Sequence, residues 1–176
     1  MTSQNTPLHA IHEAAGASFT DFSGWNMPVR YTSDLAEHHA VRTAAGLFDL
    51  SHMAELRVTG PDSGRALDYA LSGRPSALAA GEAKYMLILN DQAGIIDDLI
   101  VYRLGTDDFL VVANAGNRHP VIQALAARLE SFDVTLRDDT DQTVMLVVQG
   151  PGAEAILGAG PGCQPEVARG GVPYYR

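Results

Sequence analysis

Cysteine and lysine are nearly absent from this 176-residue chain: Cys163 is its only cysteine and Lys84 its only lysine. One cysteine excludes an intrachain disulfide framework and a multi-cysteine metal centre. Cations of either kind are few, with 12 Lys plus Arg against 21 Asp plus Glu, a formal charge of −9. That balance speaks against nucleic acid as a partner, because non-specific binding needs a surplus of cations to displace phosphate counterions. Long apolar runs are missing too. Stretches such as Tyr85–Leu89 have strand length, far below the roughly 20 residues that span a bilayer. The first eight residues are polar and carry no signal-peptide core, so the expectation is a cytoplasmic protein with no membrane partner. What is present is the material of a core: 46% of residues are apolar and only 19% charged, a composition that rules out a disordered tail.

Local signals predict alternating helices and strands. Thr6 and Pro7 predict a helix to Ala15, stopped by Gly16. Phe19 to Tyr31 reads as strand and turn. Ser33 caps a predicted helix over Asp34–Ala45, with Asp34 and Glu37 in its first turn and Gly46 as a left-handed stop. Met53–Val58 is a predicted strand, and Gly60-Pro61-Asp62 opens a helix through Leu71. The clearest β signal is Lys84–Asn90, a turn at Asp91-Gln92-Ala93-Gly94, and Ile95–Arg103. Phe109–Ala113 continues as a strand and Pro120–Phe132 as an amphipathic helix. Val134–Arg137 and Val144–Gln149 are further strands, with a helix starting at Gly152. This order predicts an α+β fold whose sheet is mainly antiparallel, with flanking helices. The ending Gly171-Val172-Pro173-Tyr174-Tyr175-Arg176 reads as a strand that begins, as in a fragment of something longer.

Several groups of residues invite chemistry. Asp97 and Asp98 interrupt the apolar strand Ile95–Tyr102. Neighbours on a strand face opposite ways, so one carboxylate must meet the core or a cleft. Burying it unpaired costs several kcal/mol or raises its pKa. An edge strand with both groups solvated is the plain alternative. The six histidines show no metal-ligand spacing: His38 and His39 are adjacent on a helix and diverge, and His9 and His12 lack a third ligand. His52 reads either as a pocket residue or as a hydrogen-bonding group at a domain junction. Asn114, between a strand and a helix, can cap the helix or offer its amide edge to a ligand. Gly158-Ala159-Gly160-Pro161-Gly162 follows a helix and has no lysine, so it is a poor phosphate loop.

Taken in order, the motifs resemble one family, the aminomethyltransferases (T-proteins) of the glycine cleavage system. They are Phe22-x-Gly24-Trp25-x-Met27-Pro28-x-x-Tyr31, Glu37-His38-x-Ala40-Val41-Arg42, Ala45 through Met53, Ile95 through Arg103, Asn114-Ala115-x-Asn117-Arg118 and Gln149-Gly150-Pro151. The resemblance implies the N-terminal part of a three-domain cloverleaf around a folate channel. Residues 1–50 and 142–176 would belong to its first domain and 51–141 to an inserted α+β second domain. It implies transfer of a methylene group from the aminomethyl-dihydrolipoyl arm of the H-protein to tetrahydrofolate, with release of ammonia and no metal. Asp97 matches the essential acid and would face the cleft, with Asp98 behind it. Met53, Tyr85, Tyr102 and Asn114 would line the folate, and Arg30, Arg42, Arg103 and Arg118 are candidates for its anionic tail. Related readings are a folate-dependent demethylase, the folate-binding domain of a sarcosine or dimethylglycine dehydrogenase, and a non-catalytic folate-binding relative. The sequence departs from the family at Ala93, where a glycine is usual, and at His119-Pro120. A chain ending at Arg176 would lack later folate-gripping segments and turn over poorly alone.

Overall fold

Nine strands and five α-helices make up residues 3–159, which are the residues that the computed structural model describes. They form two units, 3–52 with 144–159 and 53–143. The Gly158–Gly162 loop in part, Cys163 and the Gly171–Arg176 segment lie outside the described residues.

The unit of residues 53–143 is one antiparallel sheet with helices on one face. Its strands are β4 (Ala54–Thr59), β5 (Ala83–Leu89), β6 (Ile95–Gly105), β7 (Asp108–Ala113) and β8 (Thr135–Asp138), in the order β5-β6-β7-β4-β8. The α+β expectation thus holds. The helices are α3 (Ser63–Ala70) and α4 (Arg118–Leu129). Strand alternation sends Leu56, Val58, Met86, Ile88, Leu99, Val101, Phe109 and Val111 to the helical side. There they close a core with Ala66, Leu67, Val121 and Leu125. Helix α4 starts two residues before Pro120, since proline in a first turn sacrifices no intrahelical bond.

In the unit of residues 3–52 and 144–159, β1 (Ser18–Phe22) pairs with β2 (Trp25–Arg30), and β3 (Gly46–Asp49) with β9 (Leu146–Gln149). The helices are α1 (His9–Ala14), α2 (Asp34–Thr43) and α5 (Ala153–Ala159). Ser33 caps α2, accepting the Ala36 N–H at 3.2 Å. Two expected caps are corrected. Thr6 does not cap α1; its hydroxyl donates instead to Asp49 at 2.6 Å. Gly46 is not a left-handed stop but the first residue of β3. Its small size is still required, because a Cβ there would lie 2.5 Å from Val41 Cγ2.

Asp49 ties this unit together. Besides Thr6 it accepts the Ser51 N–H at 2.9 Å and pairs with His12 Nε2 at 2.9 Å, while His12 Nδ1 meets the Tyr31 hydroxyl at 2.7 Å. Burial alone would raise the Asp49 pKa, yet the hydrogen bonds from Ser51, Thr6 and His12 prevail and hold it below the ordinary carboxylate range.

A carboxylate whose pKa is depressed on folding contributes stability that is present above its unfolded pKa and lost as pH falls through its folded one. Asp49→Asn should therefore be less stable than the wild type at neutral pH and lose less stability on acidification, as followed by tryptophan fluorescence; a variant with the wild-type stability and acid profile would contradict this account. The hairpin between β5 and β6 holds Ala93 at φ +60°, a left-handed conformation that costs a side-chain-bearing residue about 1 kcal/mol. Ala93→Gly should raise the thermal midpoint, and a lowered midpoint would contradict this account of the turn.

Candidate functional site

The sheet of residues 53–143 has a second face, turned away from α3 and α4. Residues opposite one another in an antiparallel pair share a face, so the register reads out what lies there. Glu55 pairs with Val112, Val112 with Ile100, and Ile100 with Tyr85, making one row across four strands. On β6 the same face carries Asp98, opposite Leu87, and Tyr102, opposite Ala83 and Leu110. Met53 immediately precedes β4 and Asn114 immediately follows β7.

The structure reverses the expected orientation of the aspartate pair. Asp97 shares its side of β6 with Leu99 and Val101 and is only 2% exposed, so it faces the helical core and not a cleft. Asp98 is part-buried and takes the open side. The physical reason is the period of two: once Leu99 and Val101 enter the core, Asp97 must follow them. Neither carboxylate is left bare. The Tyr85 hydroxyl donates to Asp98 Oδ2. Asp97 accepts the Asn114 backbone N–H at 2.9 Å, Asn114 Nδ2 at 3.0 Å and Asn117 Nδ2 at 2.6 Å. Asn114 Nδ2 also reaches the Asp98 carbonyl at 2.9 Å.

Of the residues singled out from sequence, Asp97 and Asn114 are thus in direct contact, and Tyr85 joins them through Asp98. Tyr102 stands four residues beyond Asp98 on the same strand face. Tyr85 is 51% exposed and its hydroxyl donates to Asp98. Asp98 and Asn117 join the same set of contacts without having been expected as site residues. Their signal was the parity of β6 and the strand-to-helix junction, but both rows of β6 are apolar enough to enter a core, and sequence did not choose between them.

The arginine candidates divide sharply. Arg103 spends its guanidinium on the carbonyls of Gly105, Ser76, Leu78 and Thr106, at 2.6–3.1 Å. Arg118 is bound to Asp138 at 2.8 Å and Asp141 at 2.9 Å. Those carboxylates, Asp141 foremost, raise its pKa further, against the opposing effect of burial. Both are structural ties of their loops. Arg30 lies 3.6 Å from Asp34 on the surface.

On the other unit, His52 is 7% exposed, with its ring edge-on to Phe22 at 5.5 Å and its Nδ1 buried without a hydrogen-bond partner. His38 and His39 stand at 6.0 Å in a T-shaped pair. Among the described residues no cluster of three or more His, Cys, Asp or Glu could hold a metal, and no helix is long and apolar enough to cross a membrane.

An antiparallel sheet with helices on one side thus brings an acid, a phenol and an amide together at the end of β6. The chain belongs to the family of the GCVT N-terminal domain, whose pattern matches residues 8–176. It is 59% identical over 156 residues to an aminomethyltransferase of Cutibacterium acnes, covering 89% of this chain and 42% of that protein. An aminomethyltransferase of Saccharopolyspora erythraea is 55% identical over 154 residues, covering 88% and 42%. Among solved structures, the glycine cleavage system aminomethyltransferase T from Bartonella henselae superposes with a TM-score of 0.84 at 42% identity, over 88% of this chain and 42% of that one. The chain therefore spans less than half the length of these relatives.

The His52 environment yields a check that needs no ligand. Burial lowers its pKa below the ordinary histidine value, opposed more weakly by Asp49. An NMR titration should place the His52 midpoint below that value, and a midpoint at or above it would show the ring to be solvated.

Proposed function

We propose that this chain is the N-terminal portion of a tetrahydrofolate-dependent aminomethyltransferase of the glycine cleavage system. The observation that carries the proposal is Asp98, a carboxylate on the open face of β6, gripped by the Tyr85 hydroxyl and bordered by Asn114, in a chain of this family. The same reading implies a cytoplasmic protein whose second substrate is the lipoylated H-protein.

In the reaction, the methylene carbon of the aminomethyl arm leaves the lipoyl sulfur and the amine and becomes bonded to both N5 and N10 of tetrahydrofolate. Each of those nitrogens gives up one hydrogen; one ends on the sulfur and the other leaves with ammonia. Asp98 is suited to take a proton from a folate nitrogen and pass it on, since its carboxylate is held in place by neutral donors rather than neutralised by a cation. Tyr85 fixes its orientation and offers a half-exposed ring for a flat heterocycle to pack on. Met53 and Tyr102 complete the lining. Asp97, the acid expected from the family resemblance to be catalytic, is 2% exposed and held by Asn114 and Asn117.

Two measurements test this reading. In the full-length protein, Asp98→Asn should lower kcat for methylenetetrahydrofolate formation by about 10²–10⁴-fold while circular dichroism shows an intact fold; an unchanged rate refutes the role. The 176 residues alone, which span 42% of the relatives' length, should bind or turn over poorly, and a rate comparable to the full-length enzyme would overturn that expectation.

A further inference from the structure

The cluster around Asp49 joins a carboxylate, an imidazole and a phenol in one line. Asp49 meets three donors: the Thr6 hydroxyl at 2.6 Å, the Ser51 N–H at 2.9 Å and His12 Nε2 at 2.9 Å. Burial opposes its ionisation, yet these bonds keep its pKa below the ordinary carboxylate range. An ionised carboxylate only accepts hydrogen bonds, so His12 Nε2 carries a hydrogen. The other ring nitrogen, Nδ1, lies 2.7 Å from the Tyr31 hydroxyl, and His12 is 8% exposed. Burial, with Asp49 and Glu37, raises the Tyr31 pKa, so the phenol keeps its own hydrogen. Both ring nitrogens thus have a fixed partner, but only Nε2 has a fixed role. Neutral His12 has a lone pair at Nδ1 and accepts the Tyr31 O–H. The imidazolium has an N–H on each nitrogen, so its Nδ1 donates to the phenol oxygen instead.

We propose that Asp49, His12 and Tyr31 form a proton-operated inverter: when His12 Nδ1 takes a proton from solvent, the Tyr31 hydroxyl changes from donor to acceptor toward His12 and turns its hydrogen away. Neither tie is lost. Asp49 accepts from Nε2 in both states and faces a cation in the second, while Tyr31 and His12 stay bonded with the direction reversed. The reversal takes place in the wall of a groove: Tyr31 is 43% exposed and, with Val29, Val41, Leu47 and Phe48, lines a space of about 590 Å³. One hydroxyl therefore changes its hydrogen-bonding character with pH while the backbone around it keeps its place. The neighbouring ionisable groups are otherwise engaged. His9 and Glu13 of α1 pair with each other at 3.5 Å. Glu37 of α2 accepts the Tyr31 and Thr32 N–H groups at 2.8 and 2.7 Å. His52, which Asp49 also influences, has its pKa lowered by burial.

The test is an NMR titration of the full-length protein, labelled with ¹⁵N in the histidine rings and ¹³C at tyrosine Cζ, from about pH 8 to 5, where histidine changes charge. Tyr31→Phe removes one Cζ signal and so assigns it. At the alkaline end His12 should carry its hydrogen on Nε2 with Nδ1 bare. On acidification the Tyr31 Cζ resonance should shift with the same midpoint as the His12 ring, while the Ser51 amide bound to Asp49 stays in place. A His12 that is Nδ1–H when neutral, a Tyr31 Cζ that ignores the His12 titration, or a Ser51 amide lost at that midpoint would each overturn the proposal. His12→Gln should leave the Tyr31 Cζ resonance flat over the same range, and a shift that persists overturns it as well. Should His12→Gln fail to fold, Asp49→Asn takes its place. Its side-chain amide can donate as well as accept, so the Nδ1–H form of neutral His12 should appear, and a ring that remains purely Nε2–H overturns the role given to Asp49.

Discussion

Two adjacent carboxylates on one strand cannot share a face, and the geometry at the end of β6 follows from that constraint. The sheet needs Leu99 and Val101 in its core, so the period of two carries Asp97 inward and leaves Asp98 outward. An inward carboxylate without a cation persists only if its oxygens are saturated by donors. The junction after β7 supplies them: the chain turns there through a one-turn 3-10 helix, Ala115–Asn117, before entering α4. The acid, the turn and the amide are parts of one arrangement.

Two kinds of polar network result, and they do different things. Arg103, capping four carbonyls, and Arg118, bridging Asp138 and Asp141, hold loops in place and have little capacity left for a ligand. The Asp97–Asn114–Asp98–Tyr85 group instead joins β5, β6 and the junction after β7 through an acid pair with no cation beside it among the described contacts. In the other unit, the Thr6–Asp49–His12–Tyr31 chain belongs to the first kind, with its carboxylate enclosed and the other three residues drawn from separate places in the sequence.

Much of this was legible beforehand. The β5–β6 hairpin was written in Asp91-Gln92-Ala93-Gly94, with β-formers on either side. The helix α2 was written in Ser33 and its acidic first turn. The motif pattern drew attention to the segment containing Asp97 and Asp98 and to Asn114, which the structure brings into contact. Legibility stopped at contacts between residues distant in the chain. Thr6 was read as a local cap, but its hydroxyl found Asp49, 43 positions away. Gly46 was read as a conformational stop, and its smallness instead admits the side chain of Val41.

The sequence by itself determined the class of fold and the family, because periodicity, caps, turns and the order of short motifs are local properties of neighbouring residues. Tertiary structure decided which of two neighbouring aspartates faces outward and which arginines are already spoken for. Ile100 and Tyr102 on one side of β6 are comparable in size and apolarity to Leu99 and Val101 on the other, so either row could have entered the core. The packing of α3 and α4 against one face chose between them, and the alternation of the strand did the rest.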